Sequence, residues 1–370
     1  MLTTVEIEKE AIVYNLNQFR KHIGKKTLLM PVIKSNAYGH GFTQIAEICL
    51  KHPAVNRICV VSMDEAIKLA DLGGDKPIQI LSFFEDDIKK TLYLARHKAV
   101  FPLYTIKQAK FLNNIGKKIN QKIKVHLKVD VGTSRVGVQV ENLKNFYEEI
   151  RFLKNIYLEG LWSHFSSSEE SKSITIEQLK KFKEADEILK KEGMDIPLKH
   201  IACTASTILY PETHFQAVRV GLGTYGLHPS QKTEKIINLE PALSLNTKII
   251  QVKKIKKGTG VSYGRTWVAK KETVIATLPL GYFDGIDRNL SNKLRVLVGG
   301  MECLQIGRIC MNLMMIDVSR LKNVKVGERV TIIGKQKNKM IHANDIAKLL
   351  STINYEVVTK INPLIPRIVI

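Results

Sequence analysis

Short apolar runs alternate with amphipathic segments through roughly the first 235 residues, and this alternation constrains the fold more than any other feature. Runs of strand length occur at residues 28–33, 57–62, 77–81, 99–103, 122–129, 156–162, 198–202 and 215–220. Residues 8–23, 42–50, 63–72, 85–95, 105–115, 141–153 and 175–191 carry apolar side chains at helical spacing. The last of these is the plainest helix. Thr175 and Gln178 suggest a capping box, Leu179, Phe182, Ile188 and Leu189 form the stripe, and Gly193 ends it. Regular strand–helix alternation implies a parallel sheet. About eight repeats in this length suit a closed, TIM-like (β/α)8 barrel better than an open doubly wound sheet.

The pattern changes after Leu239. Strand-like runs at 242–252, 272–278, 294–298, 314–318 and 329–333 are broken by Lys257-Gly258, Gly299-Gly300 and Val326-Gly327, and a single helix stands out near 343–350. The expected division is a barrel over 1–238 and a mostly β domain over 239–370.

Composition narrows the class. Apolar content of 44% and charged content of 25% are those of a soluble globular protein. No apolar run approaches bilayer-spanning length, so no membrane partner is expected. Glu6, Glu8, Lys9 and Glu10 interrupt any secretory h-region, which makes the cytoplasm the default location. The net charge of +22 raises nucleic acid as a partner, but the lysines are spread over helix faces such as Lys180, Lys181, Lys183, Lys190 and Lys191. No basic run interleaves with aromatics, so a generally basic surface that favours small anions is the better reading. The five cysteines contain no C-x-x-C pair, which fits reduced thiols and offers no metal site.

One stretch points to chemistry. Lys34 follows the apolar run 28–33 and precedes a glycine-bearing loop, Ser35-Asn36-Ala37-Tyr38-Gly39-His40-Gly41. Burial lowers a lysine's proton affinity, and a lysine that is neutral part of the time attacks aldehydes to form a Schiff base. A solvated lysine at a strand edge is the other reading of the same residues. In a barrel, functional residues gather at the C-terminal strand ends. Lys34, Tyr38, Lys128, Arg135, His164, Thr204 and Arg219 all fall there. Gly221-Leu222-Gly223-Thr224-Tyr225-Gly226 spells G-x-G-x-x-G, but Leu227-His228-Pro229-Ser230 follows where a dinucleotide fold needs a helix. The glycines Gly221, Gly223 and Gly226 still offer backbone N–H groups for a phosphate.

Lys34-Ser35-Asn36-Ala37-Tyr38-Gly39-His40-Gly41 resembles the pyridoxal-phosphate lysine motif of the alanine racemases, and the resemblance continues through nearly the whole chain. Leu127-Lys128-Val129-Asp130 with Arg135 and Gly137 is similar to the family's Leu-Lys-x-Asp-x-Gly-x-x-Arg-x-Gly. It implies that Lys128 is carbamylated and orients Arg135, which meets the cofactor phenolic oxygen and the substrate carboxylate. Ser163-His164-Phe165 resembles the segment whose histidine packs on the pyridine ring. His200 matches the histidine that supports Arg219, which in Arg219-Val220-Gly221 would face the pyridine nitrogen. Val261-Ser262-Tyr263-Gly264 is similar to the segment whose tyrosine is the second catalytic base, supplied by the partner subunit of a homodimer. Leu280-Gly281-Tyr282 resembles the entry channel, Gly307-Arg308-Ile309-Cys310-Met311 the segment beside the substrate, and Ile353-Asn354-Tyr355-Glu356 the tyrosine motif that reaches the phosphate.

The resemblance therefore implies a pyridoxal 5'-phosphate-dependent racemase of L- and D-alanine that supplies D-alanine for peptidoglycan. Lys34 and Tyr263 would be its two acid/bases. Lys34, Tyr38, His164, Thr204, Arg219, Gly221, Leu222 and Tyr355 would hold the cofactor, and Arg135 and Met311 would meet substrate. The sequence departs from the family pattern at Asn312 (usually Asp), Ser134 (commonly Gly), Cys203-Thr204 (commonly Asn-Ser) and Arg265. Asn312 removes a negative charge near the substrate, which leaves a broader racemase acting on serine as the alternative.

Overall fold

In the computed structural model, which describes all 370 residues, the apolar runs of the N-terminal part become eight strands. These are Leu28–Pro31, Ile58–Val60, Ile78–Ile80, Ala99–Leu103, Ile123–Asp130, Ile156–Trp162, Leu198–His200 and Ala217–Val220. From the second strand to the seventh, each pairs in parallel with the next, with registers such as Ile58↔Ile78, Phe101↔Val125 and Gly160↔Leu198. The first strand pairs in parallel with the eighth, Leu28↔Ala217. A bridge between Val32 and Cys59 joins the first strand to the second, and Arg219 N donates to Ala202 O at 3.0 Å to join the eighth to the seventh. The sheet thus curls round into the barrel expected from the alternation. Its strands are buried along nearly their whole length, because helices cover the outer face.

Side-chain caps fix the helix starts. Ser62, Asp87, Thr105 and Ser171 each accept the backbone N–H three residues on. The helix read as starting at Thr175 begins earlier, as Lys172–Lys191. Thr175 lies inside its first turn, and its hydroxyl donates to Ser171 O at 2.7 Å.

The chain forms two compact units. One contains Ala11–Lys34 and Ile45–Glu240, hence the barrel. The other contains Met1–Glu10, Ser35–Gln44 and Pro241–Ile370. It is built on a ten-stranded sheet. The run at 242–252 is divided into Leu243–Lys248 and Gln251–Ile255, which pair with different strands. Four strands of this sheet were not foreseen: Thr4–Ile7, Met301–Ile306, Lys339–Ile341 and Arg367–Val369. Thr4–Ile7 pairs antiparallel with Leu243–Lys248 and parallel with Arg367–Val369. Helices Ala343–Leu350 and Asn354–Thr359 complete the unit. No helix is long and apolar enough to cross a membrane.

Candidate active site

The barrel unit gathers its cations at the strand ends. Lys34 follows the first strand, and burial, helped by the Arg135 charge, lowers its proton affinity against the opposing pull of Glu65. Lys128, near the end of the fifth strand, is 1% exposed, and its Nζ lies 4.4 Å from the centre of the Trp162 ring. Burial, then the charges of Arg135 and Arg219, push its pKa down to about 7. Asp130 shapes the loop that carries Arg135. Its Oδ1 accepts the backbone N–H groups of Gly132, Thr133 and Ser134 at 2.9, 2.9 and 3.2 Å. Burial would raise this carboxyl, and the N–H donors bring it below its ordinary value.

Arg219 lies on the eighth strand, 3% exposed. Its Nη2 donates to Ser163 O at 2.7 Å, Ile201 O at 3.0 Å and His164 Nδ1 at 3.2 Å, and its Nη1 to His200 Nδ1 at 2.5 Å. Its acceptors are neutral carbonyls and imidazoles, and burial pushes its pKa down to about 10. Desolvation, followed by the Arg219 charge, holds both His164 and His200 well below the usual imidazole range, so both are neutral. On the adjoining loops, Thr204 Oγ1 accepts the N–H groups of Gly221 at 3.0 Å and Gly223 at 3.3 Å. Leu222–Tyr225 is a single 3-10 turn where a dinucleotide fold would have a long helix. The expected barrel residues Lys34, Lys128, Arg135, His164, His200, Thr204, Arg219, Gly221 and Leu222 thus all belong to one unit.

The β unit holds the rest in two groups. Tyr263, Tyr282, Arg288, Ile309 and Cys310 line a cavity of about 600 Å³. Tyr263 is 69% exposed, and Met311 adjoins this cavity, with its carbonyl accepting the Phe283 N–H at 3.0 Å. The second group surrounds Tyr38. Residues 35–41, read as a loop, contain a left-handed helical turn, with φ of 55° at Ser35, 54° at Asn36, 52° at Ala37 and 54° at Tyr38. Each such non-glycine residue costs roughly 1–2 kcal/mol, so neighbouring structure must impose the turn. Asn36 Oδ1 accepts the Phe42 N–H at 2.9 Å, and His40 Nδ1 donates to Tyr38 O at 3.0 Å. Gly39 sits so close to Val358 that a Cβ there would lie 2.0 Å from the Val358 oxygen. Arg367 adds a staple. Its Nη2 donates to Gly39 O at 3.0 Å and Ile361 O at 3.1 Å, and its Nη1 to Asn362 O at 2.6 Å and Ile365 O at 2.5 Å. Within this frame the Tyr38 and Tyr355 rings stand 6.2 Å apart.

Arg367 went unread in the sequence, as did His126, Glu159 and Arg57 behind His200. None belongs to a local motif, and only the folded chain brings them to the residues they touch.

Residues 7–229 match the family model described as alanine racemase, N-terminal domain, and residues 242–369 match alanine racemase, C-terminal domain. The chain is 38% identical to the alanine racemase of Methanococcus maripaludis, over 98% of this chain and 97% of that protein. It is 37% identical to alanine racemase 2 of Caldanaerobacter subterraneus subsp. tengcongensis, over 100% and 95%. Among solved structures it is similar to the alanine racemase of Clostridium difficile 630, with a TM-score of 0.93, 32% identity, and coverage of 100% of this chain and 96% of that one. It also resembles the Bacillus anthracis alanine racemase with bound L-Ala-P, with a TM-score of 0.92, 33% identity, and coverage of 100% and 95%. With family models over both parts of its length and relatives matched from end to end, the chain belongs to the alanine racemase family of isomerases.

Proposed function

We propose that the protein interconverts L- and D-alanine with pyridoxal 5'-phosphate, as a cytoplasmic homodimer whose product D-alanine feeds peptidoglycan. The donor set fits the cofactor: a lysine of lowered proton affinity, a buried arginine on neutral acceptors, and a glycine turn gathered on the Thr204 hydroxyl. When bound, the cofactor supplies an aldehyde for Lys34 and an electron sink that eases removal of the substrate Cα proton. Lys34 and Tyr263 then act as acid and base on opposite faces of the substrate, with Tyr263 supplied by the partner subunit. By the resemblance, Thr204, Gly221 and Leu222 would hold the phosphate, as would Tyr38 and Tyr355. His164 would pack on the ring. Arg135 holds the substrate carboxylate, with Met311 against the side chain and Tyr282 at the entrance. Lys128, with a pKa of about 7, is neutral often enough to take up carbon dioxide and orient Arg135 as a carbamate.

The observation that carries this reading is Arg219. A guanidinium on neutral acceptors keeps its proton, so it can hold the pyridine nitrogen without protonating it. That weakens the electron sink enough to favour returning the proton to Cα over transamination.

The test is chiral chromatography of L-alanine and L-serine, each incubated with purified protein and the cofactor. Fast D-alanine with slow D-serine is expected. A methyl-sized difference discriminates by only about 1–3 kcal/mol, so some serine turnover is tolerated. Equal or faster D-serine would establish the broader serine racemase, with Asn312 as the first residue to revert. Neither product would overturn the reaction.

A further inference from the structure

Behind Arg219 a line of polar groups runs through the barrel wall. His200 Nε2 lies 2.8 Å from His126 Nδ1, and His126 Nε2 lies 3.0 Å from Glu159 Oε2. Arg57 Nη1 reaches the same Glu159 oxygen at 2.8 Å, and Lys124 Nζ reaches the other at 3.1 Å. His126 and His200 are both fully buried, and Arg57 is 6% exposed.

The donors and acceptors fix every proton in this chain. An arginine N–H can only donate, so His200 Nδ1 accepts from Arg219. Neutral His200 therefore carries its hydrogen on Nε2 and donates to His126 Nδ1. Neutral His126 in turn carries its hydrogen on Nε2 and donates to Glu159. His126 Nε2 also lies 3.2 Å from Arg57 Nη1. Two donors meet there, and they are reconciled because both converge on one carboxylate oxygen. A shift of one proton along each link would move it from Arg219 to His200, from His200 to His126, and from His126 to Glu159. The result would be a neutral Arg219 and a neutral Glu159. Arg57 opposes this shift by holding Glu159 as the anion.

The fold is built around this line. The fifth and sixth strands pair Val125↔Leu158 and then His126↔Gly160, so Glu159 is an extra residue in a β-bulge. Bulges re-aim side chains, and they recur beside active sites. Gly160 leaves space for the imidazole, since a Cβ there would lie 2.6 Å from two atoms of the His126 ring. A buried ion pair, two neutral histidines, a bulge and a glycine make a costly way to fill a wall that apolar residues could fill.

We propose that His126, Glu159 and Arg57 are positioning residues that fix the tautomer of His200 and so keep the proton and the orientation of Arg219. This rests on the cofactor reading above. Glu159→Leu removes the one oxygen that His126 and Arg57 share. Arg57 Nη1, 3.2 Å from His126 Nε2, then donates to it, and the hydrogen-bond direction reverses as far as Arg219.

The test begins on the cofactor-free protein, so it does not depend on activity. Long-range 1H–15N spectra of histidine-labelled protein should show His126 and His200 neutral and protonated at Nε2. Protonation of His200 at Nδ1 would overturn the proposal without any variant. In the holoenzyme, Glu159→Leu should raise the ratio of pyruvate formed by transamination to alanine racemised by about tenfold or more, the scale of outer-shell effects on site ligands. Gly160→Ala, which displaces the His126 ring without changing a charge, should shift the ratio in the same direction. Unchanged tautomers together with an unchanged ratio in folded Glu159→Leu would mean the line is only barrel filling. A wild-type protein with the expected tautomers but no racemisation would refute the functional reading and leave the proton arrangement established.

Discussion

Lys128 shows how a single side chain couples folding to pH. Folding lowers its pKa to about 7, whereas a free lysine titrates at ~10.4. Between those values the unfolded chain holds a proton that the folded chain lacks. This residue's contribution therefore makes stability rise with pH across the window and leaves it flat below about 7. Lys128→Met should raise the urea midpoint near pH 7 and remove much of the rise between about 7 and ~10, in buffer free of carbon dioxide. The same rise in both proteins would show that Lys128 is not the group responsible. The sequence placed Lys128, Arg135 and Arg219 at strand ends, where periodicity alone locates them. It did not disclose His126, Glu159 or Arg57. Those residues lie in strand interiors or ahead of a strand start, and their pairing depends on a bulge that no local pattern marks.

Among the elements, the turn at Ser35–Tyr38 departs furthest from local preference. Glycine and asparagine favour left-handed backbone, whereas alanine and tyrosine do not, so the segment reads as an irregular loop until its partners are known. Those partners are Val358 and Arg367, far along the chain. Arg367→Met removes charged hydrogen bonds worth about 1.5–3 kcal/mol each and should loosen the Tyr38–Tyr355 pair. Binding of pyridoxine 5'-phosphate, which cannot react with Lys34, should weaken by about tenfold in fluorescence titrations, while pyridoxine without phosphate should bind as before. Equal weakening of both ligands would make Arg367 a general staple with no connection to the phosphate. The barrel strands and most helices were legible because each carries its own period. The strands Thr4–Ile7 and Arg367–Val369 are too short to carry one.

On the scale of the whole molecule, the resemblance implies an active site completed by a second subunit. Lys34→Ala and Tyr263→Phe should each be inactive alone. When the two variants are unfolded together and refolded, random pairing makes half of the dimers mixed, and one site in each mixed dimer keeps both residues. About a quarter of wild-type activity should return. No recovery, in a mixture shown by native mass spectrometry to contain mixed dimers, would place Tyr263 in the same subunit as the Lys34 it serves. The net charge of +22 adds repulsion between like copies and should make the dimer tighter at higher ionic strength. Two-part organisation was visible in the sequence because the hydrophobic period changes after Leu239.

Thr4–Ile7 lies between Leu243–Lys248 and Arg367–Val369 in one sheet, with Val5 opposite both Leu245 and Arg367. During vectorial synthesis on the ribosome, this strand emerges long before both of its neighbours. The barrel can close as soon as its eighth strand has left the exit tunnel, but the β sheet cannot take its final order until residues 367–369 have been made. An exposed N-terminal strand must therefore wait through most of translation, and its short length and the charge at Glu6 limit what it can wrongly pair with in that interval.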